Sequence, residues 1–276
     1  MGDNKAKIIL KQKDLRNFKW TNIRSCSGTN GMLLKAYDIT KKGKVYYKIS
    51  CFNSADGFTG HECINELIVD RLLNILKIDH LDYTLVNSKI IIEEKEYFTY
   101  ICFSNDFKNK DKRKIPFDVF YKTNKLNNES IEDFFKRNGW EKHPYSMILV
   151  DYIIMNRDRH GANCEIIKSK YGNIRVAQLY DHGISLLFSC HTKREIEEFD
   201  VLKDYPAQTI LNAKSTKENL NIIPKEFFQN FNKLTYSAKD EIMNDLYYII
   251  NKEHADKIWQ MIWERWCYCE NLFSKR

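Results

Sequence analysis

Near residue 105 the periodicity of the chain changes, and that change limits the fold more than any other feature of the sequence. From about residue 20 to 104 the segments WTNIRS, MLLKAYDI, KVYYKIS, TLVNSKIIIEE and EYFTYICF read as strands, rich in aromatic and β-branched residues. Lys41-Lys42-Gly43-Lys44 is the expected hairpin turn between the second and third of them. One helix interrupts the strands, from about Glu62 to Leu76, where Ile64, Leu67, Ile68, Leu72 and Ile75 recur at three- and four-residue spacing. Beyond residue 105 helical spacing dominates, near 130–137, 143–156, 224–232, 237–252 and 255–273, with a short β pair, CEIIKS and IRVAQLY, in the middle. The expected architecture is α+β and bilobal: a small β-rich N-lobe over residues 1–104, a larger α-helical C-lobe over 105–276, and a cleft between them.

Composition narrows the class. The chain has 276 residues, 43% of them hydrophobic, enough to bury a substantial core. With 10 Gly and 4 Pro it is neither collagen-like nor low-complexity. No apolar run reaches the roughly 20 residues that cross a bilayer, and the start MGDNKAKIILKQKD has no signal-peptide pattern, so a cytoplasmic protein without membrane attachment is expected. The eight cysteines show no CxxC spacing and read as reduced thiols; Cys267 and Cys269 beside His254 supply too few ligands for a metal site. A net charge of +7 is spread along the chain, and the one basic run, KNKDKRK over 108–114, reads as a solvated loop, with an anion-steering patch the alternative. No basic stripe interleaved with aromatics occurs, so direct nucleic-acid binding is not expected. In KIWQMIWERWCYCENLF, Trp259, Trp263, Trp266 and Phe273 share one face, which predicts a last helix packed onto the large lobe.

The chemistry concentrates around the middle β pair, in DYIIMNRDRHGANCEI and VAQLYDHGISL. Asp158 and Asn163 are five positions apart, and Asp181 stands directly before His182-Gly183. Phosphoryl transfer asks for these residue types in this order: an Asp at the acceptor hydroxyl, an Asn five positions on, and a later Asp, the last two holding Mg²⁺ against the phosphates of ATP. Hard cations take oxygen ligands, which Asn163 and Asp181 supply. Upstream, Gly28 and Gly31 in SCSGTNGMLLKAY allow backbone N–H groups to approach phosphate. Lys48 in VYYKIS is placed to meet the α/β-phosphates, and Glu66 on the following helix is its natural ion-pair partner, with Glu62 one turn earlier the rival.

NRDRHGAN followed by LYDHG, with GHECINELIVDRLLNIL upstream, resembles the HipA-like serine/threonine kinases over about residues 20 to 270. The resemblance implies a protein-kinase-like bilobal fold, with ATP and Mg²⁺ as cofactors and a protein Ser or Thr as acceptor. It implies Asp158 as catalytic base, Asn163 and Asp181 as metal ligands, Lys48 on the phosphates, and Glu66 as its partner, because the family carries an Asn-Glu pair at the position of Asn65-Glu66. The loop Ser27-Gly28-Thr29-Asn30-Gly31 becomes the ATP lid, and Ser25, Ser27 and Thr29 the candidates for an autophosphorylation that switches family members off. Arg159 and His160 are expected to orient the acceptor or to stabilise transferred charge, with His160 the rival to Asp158 as catalytic base. Ile101-Cys102-Phe103-Ser104-Asn105-Asp106 departs from the family's usual hinge, and backbone groups near Cys102 and Phe103 are the expected adenine contacts. With its first expected strand near residue 20, the chain is expected to be without the extra N-terminal subdomain of full-length toxins, and it is similar to the short single-unit members, including the cell-translocating kinase type. A separate antitoxin or small N-subdomain partner, a bacterial cytoplasmic location, and secretion as an effector in its place all follow from that likeness. Phosphatidylinositol kinases share the DRHxxN block, so a lipid kinase is the competing substrate class, and a nucleotide-binding pseudokinase the competing function.

Overall fold

The computed structural model describes residues 7–21, 33–41, 43–106, 111–211 and 213–275, the side chain of Ala162 excepted. The glycine-loop candidates Ser25, Ser27, Gly28, Thr29, Asn30 and Gly31 lie outside the described residues. The N-terminal half runs β1 (Ile8–Asp14), β2 (Lys35–Thr40), β3 (Gly43–Lys48), a two-residue pair β4 (Phe52–Asn53) and β5 (Gly57–Phe58), then α1 (Glu62–Ile75), β6 (Thr84–Ile92) and β7 (Lys95–Asn105). Five of these strands form one sheet in the order β1-β6-β7-β3-β2. Gly43 closes the β2–β3 turn with φ of 127°, a conformation that residues bearing a Cβ rarely adopt.

Two expectations are corrected here. Strand β1 precedes the first strand expected, and it pairs parallel with β6. As an edge strand it leaves all but its first two residues exposed, so its sequence carries no alternation. Of WTNIRS, Trp20 and Thr21 are not in a strand and the rest lies outside the described residues.

The C-terminal half contains β8 (Lys112–Pro116), α2 (Phe117–Asn124), α3 (Ile131–Arg137), α4 (Lys142–Ile153), β9 (Glu165–Ser169), β10 (Ile174–Val176), α5 (Lys193–Glu198), α6 (Thr216–Asn219), α7 (Lys225–Gln229), α8 (Ala238–Met243) and α9 (Lys252–Lys275). The expected β pair is β9 with β10, and β8 completes a three-stranded antiparallel sheet in the order β10-β9-β8. The basic run is therefore not all loop: Lys112, Arg113 and Lys114 pair with Ser169, Lys168 and Ile167. The helix expected over 237–252 is broken into α8 and a 3-10 turn at Asn244–Tyr248.

Two apolar cores position the site. The smaller one, with Leu15, Leu34, Ile49, Val86, Ile90 and Ile101, lies on one face of the five-stranded sheet. The larger one joins α1 and the other face of that sheet to α4 and α9 without a break. Helix α1 buries Leu67, Ile68, Val69, Leu72 and Leu73 completely. Arg71 on it donates to both carboxylate oxygens of Asp245 at 2.7 and 2.9 Å. Trp259, Trp266 and Phe273 of α9 are buried in the larger core, as their shared face predicts. No described helix is long and apolar enough to cross a membrane.

Candidate active site

Lys48 ends β3, where the ladder places it opposite Lys35 on β2 and Cys102 on β7. Its ammonium donates to Glu66 Oε1 at 2.8 Å and to Asp181 Oδ1 at 2.7 Å. The Tyr83 hydroxyl accepts a weaker bond from the same Nζ at 3.4 Å. Residues 18 and 133 positions away thus meet on one buried cation. Burial alone opposes a charge on Lys48, but the Asp181 and Glu66 carboxylates outweigh it and hold its pKa well above the usual value. The ammonium in turn holds the Asp181 carboxyl far below the ordinary carboxylate range, despite burial. Glu66 is only 1% exposed, and burial pushes its carboxyl up against the pull of Lys48.

Glu66 and Glu62 separate cleanly. Glu66 Oε2 accepts from the backbone N–H of His182 at 3.0 Å, so one carboxylate ties Lys48 to the residue after Asp181. Glu62 Oε2 accepts from the N–H of Cys51 at 2.9 Å and does not reach Lys48. Gly60 gives Glu62 its room, since a Cβ there would stand 2.1 Å from Glu62 Oε2. Between them Asn65 donates to the carbonyls of Gly183 and Ser185, both at 3.0 Å. Asp181 itself has φ of 61°. A left-handed backbone at a non-glycine residue costs on the order of 1–3 kcal/mol and persists where its surroundings over-determine it. Here Tyr83 accepts from the Asp181 N–H at 3.4 Å, and Glu66 holds the next amide.

The loop after α4 is fixed from behind. Arg159, 2% exposed, donates from Nε and Nη2 to Asp151 at 3.0 Å, and from Nη1 to the carbonyls of Asn163 at 3.0 Å and Tyr180 at 3.1 Å. One guanidinium therefore spans the chain at Asn163 and the chain before Asp181. The expectation that Arg159 orients an acceptor is corrected by this geometry, because its donors are spent inside the lobe. Asn156 donates to Asp151 at 2.9 Å and accepts from the Asp158 N–H at 3.2 Å. The backbone of Gln208 bridges Arg157 and Arg159 at 3.0 Å on each side, which sets Asp158 between them. Asn163 Nδ2 donates to the Asp158 carbonyl at 2.9 Å. His160 Nε2 stands 3.7 Å from Asp158 Oδ1.

A cleft is lined by Lys48, Tyr83 and Asp181, and further along by Ser104, Asn105 and Asp106; Asp158, His160 and Asn163 are not among its lining residues. Cys102 and Phe103 do not line it. They sit inside β7 with β3 on one side and β6 on the other, and Cys102 is fully buried. Strand β7 runs on to Asn105, and of the expected stretch from Ile101 to Asp106 it is Ser104, Asn105 and Asp106 that line the cleft. Tyr83 and Asp151 were not singled out from the sequence. Asp151 had a readable signal, a carboxylate inside the apolar run MILVDYII of α4; Tyr83 had none.

The donor set suits a hard divalent cation. The amide of Asn163 uses its N–H on Asp158, so its oxygen is the atom that could meet a cation, and Asp181 has a second carboxylate oxygen beside the one on Lys48.

No protein-family model and no curated protein sequence matches this chain. Among solved structures the fold is similar to that of the Helicobacter pylori proinflammatory kinase CtkA, with a TM-score of 0.60 at 14% identity, over 95% of this chain and 97% of that one. HipA of Shewanella oneidensis MR-1, solved with HipB and its operator DNA, is similar at a TM-score of 0.44 and 13% identity, over 91% of this chain and 66% of that one. The chain has a kinase-like α+β fold, as its sequence led one to expect, with its sheet strands concentrated in the N-terminal half and its helices in the C-terminal half.

Proposed function

We propose that the protein is an ATP- and Mg²⁺-dependent kinase that transfers the γ-phosphoryl group to a Ser or Thr hydroxyl of a protein. The observation that carries this reading is the buried Lys48 ammonium held between Glu66 and Asp181 at 2.8 and 2.7 Å, at the wall of a cleft that Lys48 and Asp181 line. Glu66 fixes the direction of Lys48, and Lys48 meets the α/β-phosphates. Asn163 and Asp181 hold the metal, which when bound neutralises charge on the phosphate oxygens. Asp158 orients the acceptor hydroxyl and takes its proton as that oxygen bonds to the γ-phosphorus and the bond from the γ-phosphorus to the bridging oxygen of the departing ADP breaks. Asp151, Arg159 and Asn156 keep that loop in place, so the carboxylate does not have to be ordered during the reaction.

The test is incubation with Mg²⁺ and γ-labelled ATP plus a generic Ser/Thr protein acceptor, wild type beside Asp158→Ala and Asp181→Ala. Label on protein in the wild type alone is the expected result. Peptide mapping of the kinase chain itself then asks whether Ser25, Ser27 or Thr29 accepts phosphate. Absence of nucleotide binding in the wild type would reject the reading at its root, and binding without transfer to any acceptor would favour a regulator that reads nucleotide.

A further inference from the structure

One buried carboxylate oxygen beside the cleft has no hydrogen-bond partner among the described residues. Glu165 opens β9, two residues after Asn163. Its backbone is fixed on both sides: it lies opposite Pro116 on β8, and its carbonyl accepts from the Ala177 N–H at 2.8 Å. The side chain lines the same cleft as Lys48 and Asp181, yet Oε2 is buried without a hydrogen-bond partner among the described residues. Lys114, the neighbouring cation of that wall, is bound to Asp106 at 3.0 Å. An acceptor such as Glu165 Oε2 is costly to leave unpaired, and native proteins seldom do so without a use for it.

The position says what would satisfy it. Ser104 and Tyr46 pair two residues along the β3–β7 ladder from Cys102 and Lys48, about 7 Å at the usual rise per residue. Glu165 lines the cleft together with Ser104, Tyr46, Asp106 and Lys114. This is the wall that a nucleotide anchored by its phosphates at Lys48 reaches with its sugar and base. We propose that Glu165 determines nucleotide specificity by accepting a hydrogen bond from an N–H or O–H donor of the nucleoside, the 6-amino group of adenine or a ribose hydroxyl. The inference rests on the nucleotide reading of the cleft. It also makes guanine a poor occupant where the base is the source, because guanine carries a carbonyl oxygen where adenine carries its amine.

The experiment compares dissociation constants, in Mg²⁺, of ATP, purine riboside triphosphate, 2′-deoxyATP, 3′-deoxyATP and GTP for the wild type, Glu165→Ala and Glu165→Gln. The wild type is expected to bind ATP about 10- to 100-fold more tightly than the analogue lacking the critical donor, the range for a hydrogen bond to a charged group. Glu165→Ala erases that preference while binding the deficient analogue as the wild type does, and Glu165→Gln, which keeps a weaker acceptor, falls between. Loss confined to purine riboside triphosphate assigns the donor to the base, and loss confined to one deoxynucleotide assigns it to the ribose. A uniform weakening for all five nucleotides would mean a structural role and overturn the proposal. An unchanged ranking in both variants, with tight ATP binding retained, would overturn it and leave the kinase reading intact. A wild type that binds none of the five would overturn both.

Discussion

Lys48→Met tests whether the buried ion pairs are built as described. The substitution keeps an unbranched side chain and removes the one ammonium shared by Glu66 and Asp181. Breaking a buried pair by deleting one partner costs about 3–5 kcal/mol, because the other charge stays buried and unpaired. Glu66 is 1% exposed, but the Asp181 side chain is 32% exposed and water relieves part of its burden, so the lower end, about 3 kcal/mol, is expected. In a chain of this size that is a fall in Tm of roughly 6–12 °C. Glu66→Gln added to Lys48→Met removes the stranded charge and should recover at least about half of the loss. The pH dependence has a definite sign. Without Lys48 the Glu66 carboxyl, already raised by burial, rises further. A carboxyl whose folded pKa exceeds its unfolded value binds protons preferentially in the folded state, so its penalty is greatest at neutral pH and is relieved as pH falls. The gap between variant and wild type, followed by circular dichroism during thermal or urea unfolding, should therefore narrow from pH 7 to pH 5. A variant that unfolds at the wild-type temperature at pH 7, or a gap that widens in acid, would refute the reasoning.

Asp158→Asn should lower phosphoryl transfer by about 10²–10⁴-fold, the usual contribution of a positioned base, with nucleotide affinity nearly unchanged; Asp181→Asn should lose both, and titration with Mg²⁺·ATP separates the two. Tyr83→Phe removes the hydroxyl that accepts from Lys48 Nζ and from the Asp181 N–H, both at 3.4 Å; bonds this long are worth at most about 1 kcal/mol of stability, and a measured loss above twice that would mean the ring has shifted. His182 and His254 are buried, and burial holds His182 well below 6.5 and His254 down to about 4. Each stays neutral in the folded protein while the unfolded chain takes up a proton, so stability present above pH 6.5 is lost as pH falls towards 4, by up to about 1.4 kcal/mol per pH unit for each; a flat unfolding profile between pH 7 and pH 5 would contradict this.

Much of this was written in the sequence, and the parts that were not share a cause. The helix Glu62–Ile75 is legible within one residue, because its apolar positions repeat at helical spacing and it ends in a region without competing signals. Asp158, Asn163 and Asp181 could be singled out because their spacing is set by one loop and one hairpin, both local. What failed to show depends on partners far along the chain. Strand β8, with the sequence KRKIP, becomes a strand only through its pairing with β9 more than 40 positions later. Within the expected stretch from Ile101 to Asp106, Cys102 and Phe103 were singled out because nothing in EYFTYICFSN marks that the cleft wall falls at Ser104 and Asn105 instead. Arg159 was expected to orient the acceptor, and it is the buried Asp151, eight positions earlier, that turns it inward. Tyr83 and Glu165 carry no local pattern at all, and their meaning comes from the cleft wall they share with Lys48.

Helix α1 explains why the cleft can hold three ionised groups in so small a space. Within about three turns it sends five polar side chains to five different parts of the chain. Glu62 takes the Cys51 amide, Asn65 the Gly183 and Ser185 carbonyls, and Glu66 Lys48 and the His182 amide. Asp70 accepts from Lys7 at 2.6 Å and from the Tyr83 N–H at 3.0 Å, and Arg71 grips Asp245. The Asp70, His80 and Asp82 carboxylates and imidazole have the grouping of a cation site, and the ammonium of Lys7 bonds to both acids of it. A rigid shift of α1 would have to break all of these together, on top of exposing a face buried from Leu67 to Leu73. A lone Lys–Glu bond across a mobile gap would gain little against desolvation. Glu66 therefore meets Lys48 because the helix is already fixed by its other contacts, and the ion pair is a result of that fixing more than its cause.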